Sequence, residues 1–306
     1  MMSGGARLLK DRTMKVGLID VDGHNFPNLA LMKLSAWHKE HGDSVEMAFP
    51  MSRYDRVYAS KVFDDTYSRD INWIPQTDDF RKGGTGYGLD NQLPDEIEHM
   101  MPDYGLYGDY GTAYGFLTRG CHRGCPFCIV SKKEGRESHK VADLSEWWNG
   151  QTNIVLMDAN ILACKDCVDL LCQLCETRAM VDFNQGLDIR LMDETKARII
   201  SKTNVKNLHF AWDGHDNLAP MFAEYRPFFK RVISRHRACV FVLVGYNSDM
   251  DWNLHRIYTL RDLGYDPYVM VYNKPNAPHE LKQLQRWCNN KIVFGKCKTF
   301  KEYKVM

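Results

Sequence analysis

The feature that most constrains the fold is a regular alternation of strand-like and helix-like segments over residues 113–275. Short apolar runs predict strands at 114–118, 154–158, 181–185, 208–213, 240–245 and 268–272. Helical periodicity predicts helices between them, at 144–148, 166–176, 193–202, 220–237 and 252–263. Alternation of this kind favours a parallel sheet, since each helix returns the chain to the start of the next strand. The prediction is an α/β fold whose six strands form a partial, TIM-like (β/α)6 barrel with its chemistry at the carboxyl ends of the strands.

A smaller α/β layer is predicted in front of this alternation. Residues 15–20, 45–49 and 56–60 are strand candidates, and residues 28–41 have helical spacing up to a stop at Gly42. This order suggests a small Rossmann-like or flavodoxin-like domain. Between residues 69 and 112 the periodicity fails amid glycines and prolines, which predicts a glycine-rich linker or lid. The predicted organisation is a disordered tail at 1–13, an N-terminal domain at 14–68, the linker at 69–112, a core at 113–275, and a C-terminal helix and tail at 276–306.

Composition narrows the class of protein. Forty Lys plus Arg against 39 Asp plus Glu leave the chain nearly neutral, so its charge does not indicate a nucleic-acid or membrane partner. The longest apolar run, 238–244, is too short to span a membrane, and the N-terminal tail lacks the apolar core of a signal peptide. A cytoplasmic protein is expected. Its ten cysteines then point to reduced thiols or metal ligands rather than disulfides.

Three cysteines follow the first predicted strand of the core with C-x3-C-x2-C spacing. They are Cys121, Cys125 and Cys128. Three thiolates this close can hold three irons of a cubane iron–sulfur cluster and leave the fourth iron open to an outside ligand. The alternatives are a structural zinc site with His122 as fourth ligand, or plain buried thiols.

The cysteine spacing, its position after the first of six predicted strands, and an aromatic residue, Phe127, before the third cysteine resemble the radical S-adenosylmethionine superfamily. The resemblance covers residues 113–275. It implies that the three cysteines hold a [4Fe–4S] cluster whose open iron chelates S-adenosylmethionine. It also implies that a reductant such as flavodoxin or ferredoxin supplies the electron that yields a 5′-deoxyadenosyl radical. The substrate and the oligomeric state are not indicated.

The resemblance also points to polar residues after the second and third predicted strands. Asp158 and Asn160 stand where the superfamily has a Gly-Gly-Glu-like segment that contacts the amino group of S-adenosylmethionine. No Gly-Gly-Glu is present here, so only the position corresponds. Gln185, Asp188 and Arg190 stand where related enzymes meet the ribose hydroxyls and the methionine carboxylate. The alternatives are a helix cap at Asn160 and a surface salt bridge between Asp188 and Arg190.

The later predicted strands supply two further candidates. Asp213 ends the fourth strand, and Gly245 follows the fifth where the superfamily has an adenine-contacting glycine motif. Gly245 could equally serve close packing. On the sixth strand, Tyr268, Met270 and Tyr272 share one face by alternation. They could stack adenine or belong to the core.

Two other motifs could indicate further cofactors, a second metal cluster and cobalamin. Cys164, Cys167, Cys172 and Cys175 fall on one face if the helix at 166–176 extends back to Cys164, which favours buried core thiols over a second cluster. The N-terminal layer resembles the cobalamin-binding domain of one branch of the superfamily. Its loop Asp22-x-His24-x-x-Pro27 has proline where the cobalamin signature has glycine, and His24 could instead cap the following helix.

The sequence therefore predicts a radical S-adenosylmethionine enzyme of unknown substrate. The alternatives are a cobalamin-dependent radical methyltransferase and a non-enzymatic metal-binding or adaptor protein on the same fold. A methylthiotransferase is not expected, because that branch carries three more cluster cysteines in its N-terminal domain and no cysteine precedes Cys121.

Overall fold

A computed structural model describes residues 13–23, 26–108, 111–230 and 238–305. The chain divides into two compact units, Met1–Tyr110 and Gly111–Met306. Both are α/β structures with parallel sheets, as the predicted α/β class requires. Among the described residues, no helix combines the length and the apolar character needed to cross a membrane.

The first unit is a four-stranded parallel sheet with the order β2-β1-β3-β4. Its elements are β1 (Lys15–Asp20), α1 (Leu29–Glu40), β2 (Ser44–Met47), β3 (Arg56–Ser60), β4 (Phe80–Gly83) and the short α2 (Asp95–Glu98). Helix α1 begins after Asn28, whose side-chain oxygen accepts a hydrogen bond from the backbone N–H of Leu31. Val16 and Leu18 of β1 are buried against Leu31 of α1, as an amphipathic helix on a parallel sheet requires.

The segment at 69–112, expected to be a linker or lid, differs from that expectation. It contains β4, which pairs with β3, and a 3-10 turn, Tyr104–Tyr107, from which Tyr107 donates to Asp20 over 2.7 Å. A Cβ atom on Gly84 would lie 2.3 Å from the carbonyl oxygen of Lys61, so this glycine permits a close backbone approach. The sequence pattern does not predict β4, because this strand is only 4 residues long and its apolar pattern is short.

The second unit contains a six-stranded sheet in which strands pair in chain order. Its strands are β5 (Thr112–Gly115), β8 (Asn153–Leu156), β9 (Met180–Leu187), β10 (Val205–Ala211), β11 (Ala238–Val244) and β12 (Asp266–Val271), with the two-residue strands β6 (Thr118–Arg119) and β7 (His139–Lys140) forming a separate antiparallel pair. Its helices are α3 (Val130–Lys133), α4 (Cys167–Glu176), α5 (Glu194–Lys202), α6 (Ala219–Lys230), α7 (Met250–Asp262), α8 (His279–Asn289), α9 (Lys291–Lys296) and α10 (Phe300–Val305). All neighbouring pairs in the large sheet are parallel, so the carboxyl ends of its strands share one edge.

The two faces of this sheet differ. On β10, Phe210 is fully buried, and its ring lies beside those of Phe222 and Phe229 in α6. The alternate residues of β10 are only partly buried and point to the other side, where side chains from β9 to β12 contact one another. This second face, which carries Asp182, Asn207, His209, Phe241 and Tyr268, is called the open face below.

A buried arginine joins the carboxyl ends of two central strands. The guanidinium of Arg256 in α7 donates to the carbonyl oxygen of Trp212 at 2.5 Å, to that of Leu243 at 2.9 Å and to the side chain of Asn253 at 2.6 Å. Arg256 is fully buried, and burial lowers its pKa to about 10. Because Trp212 follows β10 and Leu243 lies in β11, Arg256 joins these two strands at the carboxyl edge of the sheet.

Replacing Arg256 tests this role. Arg256→Met leaves two buried carbonyl oxygens without donors, and we expect the free energy of unfolding to fall by about 2–4 kcal/mol. Arg198→Met removes an exposed partner of Glu194 on α5, and this control should change stability by no more than about 0.5 kcal/mol. Urea unfolding followed by tryptophan fluorescence measures both. Equal losses in the two variants would contradict the role given to Arg256.

Candidate functional site

The cysteine loop, residues 120–135, is closed at its base by backbone and side-chain hydrogen bonds. Strands β6 and β7 pair on either side of it, with Thr118 opposite Lys140 and Arg119 opposite His139. Glu134 accepts from the guanidinium of Arg119 at 2.7 Å and from the backbone N–H of Gly120 at 3.1 Å. The loop is thus held at both ends before any ligand is considered.

Gly120 makes the first turn of the loop possible. It has a φ of +85°, and a Cβ atom there would lie 2.1 Å from the carbonyl oxygen of Glu137. No other residue fits this position without moving the backbone, since both the dihedral angle and the space exclude a side chain. The turn brings Cys121 under Asn160.

Asp158 ties the start of the loop to the second strand of the large sheet. Its carboxylate is buried and accepts from the backbone N–H of Leu117 at 2.8 Å and from the N–H and hydroxyl of Thr118 at 2.7 and 2.6 Å. Burial raises the pKa of Asp158 to about 7, and the bonds from Thr118 and Leu117 oppose that rise. Both carboxylate oxygens are therefore engaged. Asp158 positions the loop by these hydrogen bonds, and a contact between Asp158 and a ligand stays a prediction.

Asn160 is the polar residue that reaches the cysteines. It is buried, and its amide nitrogen lies 3.7 Å from the sulfur of Cys121, within donating distance for sulfur. Its side-chain oxygen has no partner among the described residues. Asn160 precedes the 3-10 turn Ile161–Ala163 without capping it, so the alternative interpretation as a helix cap is wrong. A buried carbonyl oxygen without a donor suits an ammonium ligand.

The three thiols of the loop are partly exposed. Burial raises the pKa of Cys128, and negative charge on Cys125, Cys121 and Asp213 raises it further. In the arrangement described over residues 13–23, 26–108, 111–230 and 238–305, no three His, Cys, Asp or Glu side chains form a group that could hold a metal ion. Three soft donors and an amide that donates to one sulfur nonetheless fit the ligand chemistry of an iron–sulfur cluster.

The loop also reaches the far side of the carboxyl edge. The ring of Phe127 lies 5.2 Å from that of Tyr246, which follows β11, and Tyr246 contacts Tyr272 at 5.0 Å. Gly245 has a φ of +82°, and a Cβ atom there would lie 2.9 Å from a methyl carbon of Leu281. The packing interpretation of Gly245 therefore accounts for it. Tyr246 was not singled out in the sequence, although an aromatic residue next to a strand-end glycine is a usable signal.

Asp188 and Arg190 form an ion pair at the end of β9. One carboxylate oxygen of Asp188 accepts from the Nε of Arg190 at 2.8 Å, and the guanidinium also reaches Asp216 at 3.1 Å. The other oxygen of Asp188 is buried without a partner among the described residues. The salt-bridge alternative is thus present, and a free buried acceptor remains beside it. Gln185 is exposed on β9.

Asp213 follows β10, and its carboxylate accepts from the backbone N–H of Leu243 at 3.2 Å. Burial raises its pKa, while the bond from the backbone N–H of Leu243 and the charges of Arg256, Arg190 and Arg123 oppose that rise. The contacts between Asn160 and Cys121 and between Phe127 and Tyr246 place the loop at the ends of β8 and β11.

Two other sequence motifs are the cysteines at 164–175 and the loop at 22–27. Helix α4 begins at Cys167, so Cys164 precedes it and the four cysteines do not share one helical face. Cys164 and Cys167 are buried, as expected for core thiols, but Cys172 and Cys175 are partly exposed. His24 lies outside the described residues. In the same motif, Asp22 accepts from the backbone N–H of Val62 at 2.5 Å and therefore holds the loop after β3.

The chain matches none of the models of known protein families against which it was compared, and no curated protein matches it.

The role of Asp158 can be tested by Asp158→Asn. The amide would direct a donor at the N–H groups of Leu117 and Thr118, so we expect a loss of about 1–3 kcal/mol in the free energy of unfolding. The raised pKa gives this loss a pH dependence. Between about pH 4 and 7 the folded protein keeps a proton that the unfolded carboxyl releases, so wild-type stability falls as pH rises.

The free energy of unfolding of the variant should not fall in this way as pH rises. The amount by which wild type is more stable than the variant should therefore be smaller at pH 8 than at pH 5. Chemical unfolding at both pH values measures it. Asp262→Asn, at an exposed position of α7, controls for the loss of one negative charge. Parallel pH profiles of wild type and Asp158→Asn would show that Asp158 does not titrate in this range.

Proposed function

We propose that the protein is a radical S-adenosylmethionine enzyme in which Cys121, Cys125 and Cys128 hold a [4Fe–4S] cluster. The observation that carries the proposal is the course of the cysteine loop along the carboxyl edge of a parallel sheet. Cys121 contacts Asn160 after β8, and Phe127 contacts Tyr246 after β11. Parallel α/β sheets bind ligands at this edge, because the loops that follow the strands converge there.

The sheet topology supports the same proposal. Six parallel strands in chain order are what a partial (β/α)6 barrel requires, since each strand pairs with the one before it. We propose that the sheet curves in this way, with the open face on the inside. The smaller parallel sheet of the first unit, with its order β2-β1-β3-β4, is compatible with a flavodoxin-like domain.

Each residue of the proposed site has its own role in binding. The three thiolates supply soft ligands, and the amide of Asn160 orients the sulfur of Cys121 by hydrogen bonding. The unpaired oxygens of Asn160 and Asp188 offer acceptors for an ammonium group and for hydroxyl groups, and Arg190 offers a fork for a carboxylate. Asp213 adds a carboxylate at the end of β10, where it accepts from the backbone N–H of Leu243.

When bound, the cluster and S-adenosylmethionine would supply a 5′-deoxyadenosyl radical after one-electron reduction by a partner such as flavodoxin or ferredoxin. Burial of Asn160 and Asp188 keeps their acceptors dry, which strengthens each hydrogen bond that they make to a ligand. No described contact favours cobalamin, and the histidine of the corresponding loop, His24, lies outside the described residues.

The cluster is tested by Cys125→Ala. After anaerobic reconstitution we expect about four iron atoms per wild-type chain and the loss of most of them in the variant, because two thiolates cannot hold the cube. Cys172→Ala, which removes a partly exposed thiol of α4, should retain the iron. Metal analysis and the visible spectrum report the result. Unchanged iron in Cys125→Ala, or zinc in place of iron in the wild type, would contradict the proposal.

The binding role of Asn160 is tested separately. Asn160→Ala should keep most of the iron but weaken S-adenosylmethionine binding roughly tenfold, because a buried acceptor for the ligand is lost. Asn153→Ala, at the opposite end of β8, serves as the control. Calorimetric binding and the formation of 5′-deoxyadenosine under dithionite measure both variants. Wild-type affinity in Asn160→Ala would remove this residue from the proposed site.

A further inference from the structure

A histidine on the open face has no part in the proposed cluster site. His209 lies in β10, and 17% of its side chain is exposed. Its Nδ1 atom lies 3.0 Å from the carbonyl oxygen of Phe183 and 3.6 Å from a carboxylate oxygen of Asp182. A carbonyl oxygen can only accept, so Nδ1 carries the hydrogen. In the neutral ring Nε2 is then an acceptor, and no partner for it is found among the described residues.

An irregularity of the sheet creates this arrangement. Leu208 of β10 pairs with Phe183 of β9, and Phe210 of β10 pairs with Leu187 of β9. Between these two pairs β10 advances by two residues and β9 by four. The extra residues of β9 form a bulge opposite His209, which leaves the carbonyl of Phe183 available to a side chain. Bulges of this kind commonly re-aim side chains next to functional sites.

The neighbours of His209 fix its orientation. The amide of Asn207 donates to the second oxygen of Asp182 at 2.6 Å, which holds that carboxylate beside Nδ1. On its other side, the imidazole stacks on Phe241 with a centroid distance of 5.2 Å and an interplanar angle of 7°. A ring restrained by a hydrogen bond and by stacking presents Nε2 in one direction, as preorganised binding sites require.

Aromatic side chains extend from His209 to the cysteine loop. Phe241 contacts Tyr268 of β12 at 5.9 Å, and Tyr268, Met270 and Tyr272 lie on one face of that strand, each more than 40% exposed. Tyr272 contacts Tyr246, whose ring meets Phe127 of the loop. Exposed rings along one strand form a surface on which another planar group can stack.

We propose that the open face binds a planar nitrogen heterocycle that stacks on Tyr268 and donates a ring N–H to Nε2 of His209. This inference rests on the proposed function, because it names the class of substrate on which the radical site would act. His209 and Asp213 are four residues apart on β10 and its extension, or about 13 Å along an extended chain. A nucleoside-sized molecule bound to His209 is thus long enough to reach the carboxyl edge, along which the cysteine loop runs.

Ring N–H recognition can be tested with nucleosides that differ by one methyl group. Inosine and uridine carry a ring N–H beside a carbonyl, and in 1-methylinosine and 3-methyluridine a methyl group replaces that hydrogen. We expect calorimetry on the full reconstituted chain, with and without S-adenosylmethionine, to show at least one parent nucleoside binding roughly tenfold or more tightly than its methylated partner. The same base in a short single-stranded oligonucleotide distinguishes a free nucleoside from a base within a nucleic acid.

Two substitutions assign the effect to His209. His209→Asn retains an N–H near the position of Nδ1 for the carbonyl of Phe183 but lacks Nε2, so it should bind the parent nucleoside roughly tenfold more weakly and its methylated partner as before. His209→Gln extends an amide oxygen towards the position of Nε2 and should recover part of the affinity. His255→Asn, at an exposed position of α7, should bind as wild type. Tyr268→Phe should retain binding, and Tyr268→Ala should lose it.

Equal binding of parent and methylated nucleosides would overturn this inference, as would wild-type affinity in His209→Asn or no binding of any parent base. Iron content and 5′-deoxyadenosine formation in the same preparations test the proposed function independently. A protein that holds its cluster but does not distinguish the methylated nucleosides would overturn only the inference about the open face. A protein that binds inosine through His209 but holds no iron would overturn only the cluster.

Discussion

The carboxylate of Asp158 is the interaction on which the candidate site depends. It joins the end of β8 to the backbone of Leu117 and Thr118, where the chain leaves β5 and turns into the cysteine loop. Glu134 closes the same loop from its other end. A loop of this length would otherwise sample many conformations, and each hydrogen bond at its base reduces the entropy that a ligand must remove. The site is therefore largely ordered by the protein itself.

The sheet beneath the loop has two faces with different tasks. One face is covered by helices through fully apolar contacts such as those between Phe210, Phe222 and Phe229. The other face carries Asp182, Asn207 and His209, which would be costly to bury without partners. Arg256 adds a constraint at the edge, because it binds carbonyl groups of neighbouring strand ends. We therefore expect stability to depend on one side of these strands and binding on the other.

In the first unit, strand β4 is too short and too polar to be predicted from its own sequence. Strand β4 has little apolar character of its own and is stabilised by pairing with β3. The glycines around it, which suggested flexibility, instead allow the backbone to approach Lys61 closely. Composition alone could not distinguish these two uses of glycine, because both require the absence of a side chain.

The sequence by itself determined the α/β class, the position of the six core strands to within a few residues, and the cysteine spacing. These features depend on local periodicity and on neighbouring residues. Only the tertiary structure decided which polar residues are free. The carboxylate of Asp158 accepts a hydrogen bond from Thr118, and the amide nitrogen of Asn160 lies close to the sulfur of Cys121. Asp188 pairs one oxygen with Arg190, and its other oxygen has no partner among the described residues. The pairing of Asp182 with Asn207 and the orientation of His209 were likewise invisible, since they depend on a register shift between two strands. Side-chain partners that are distant in sequence follow from strand order and register, which local pattern does not encode.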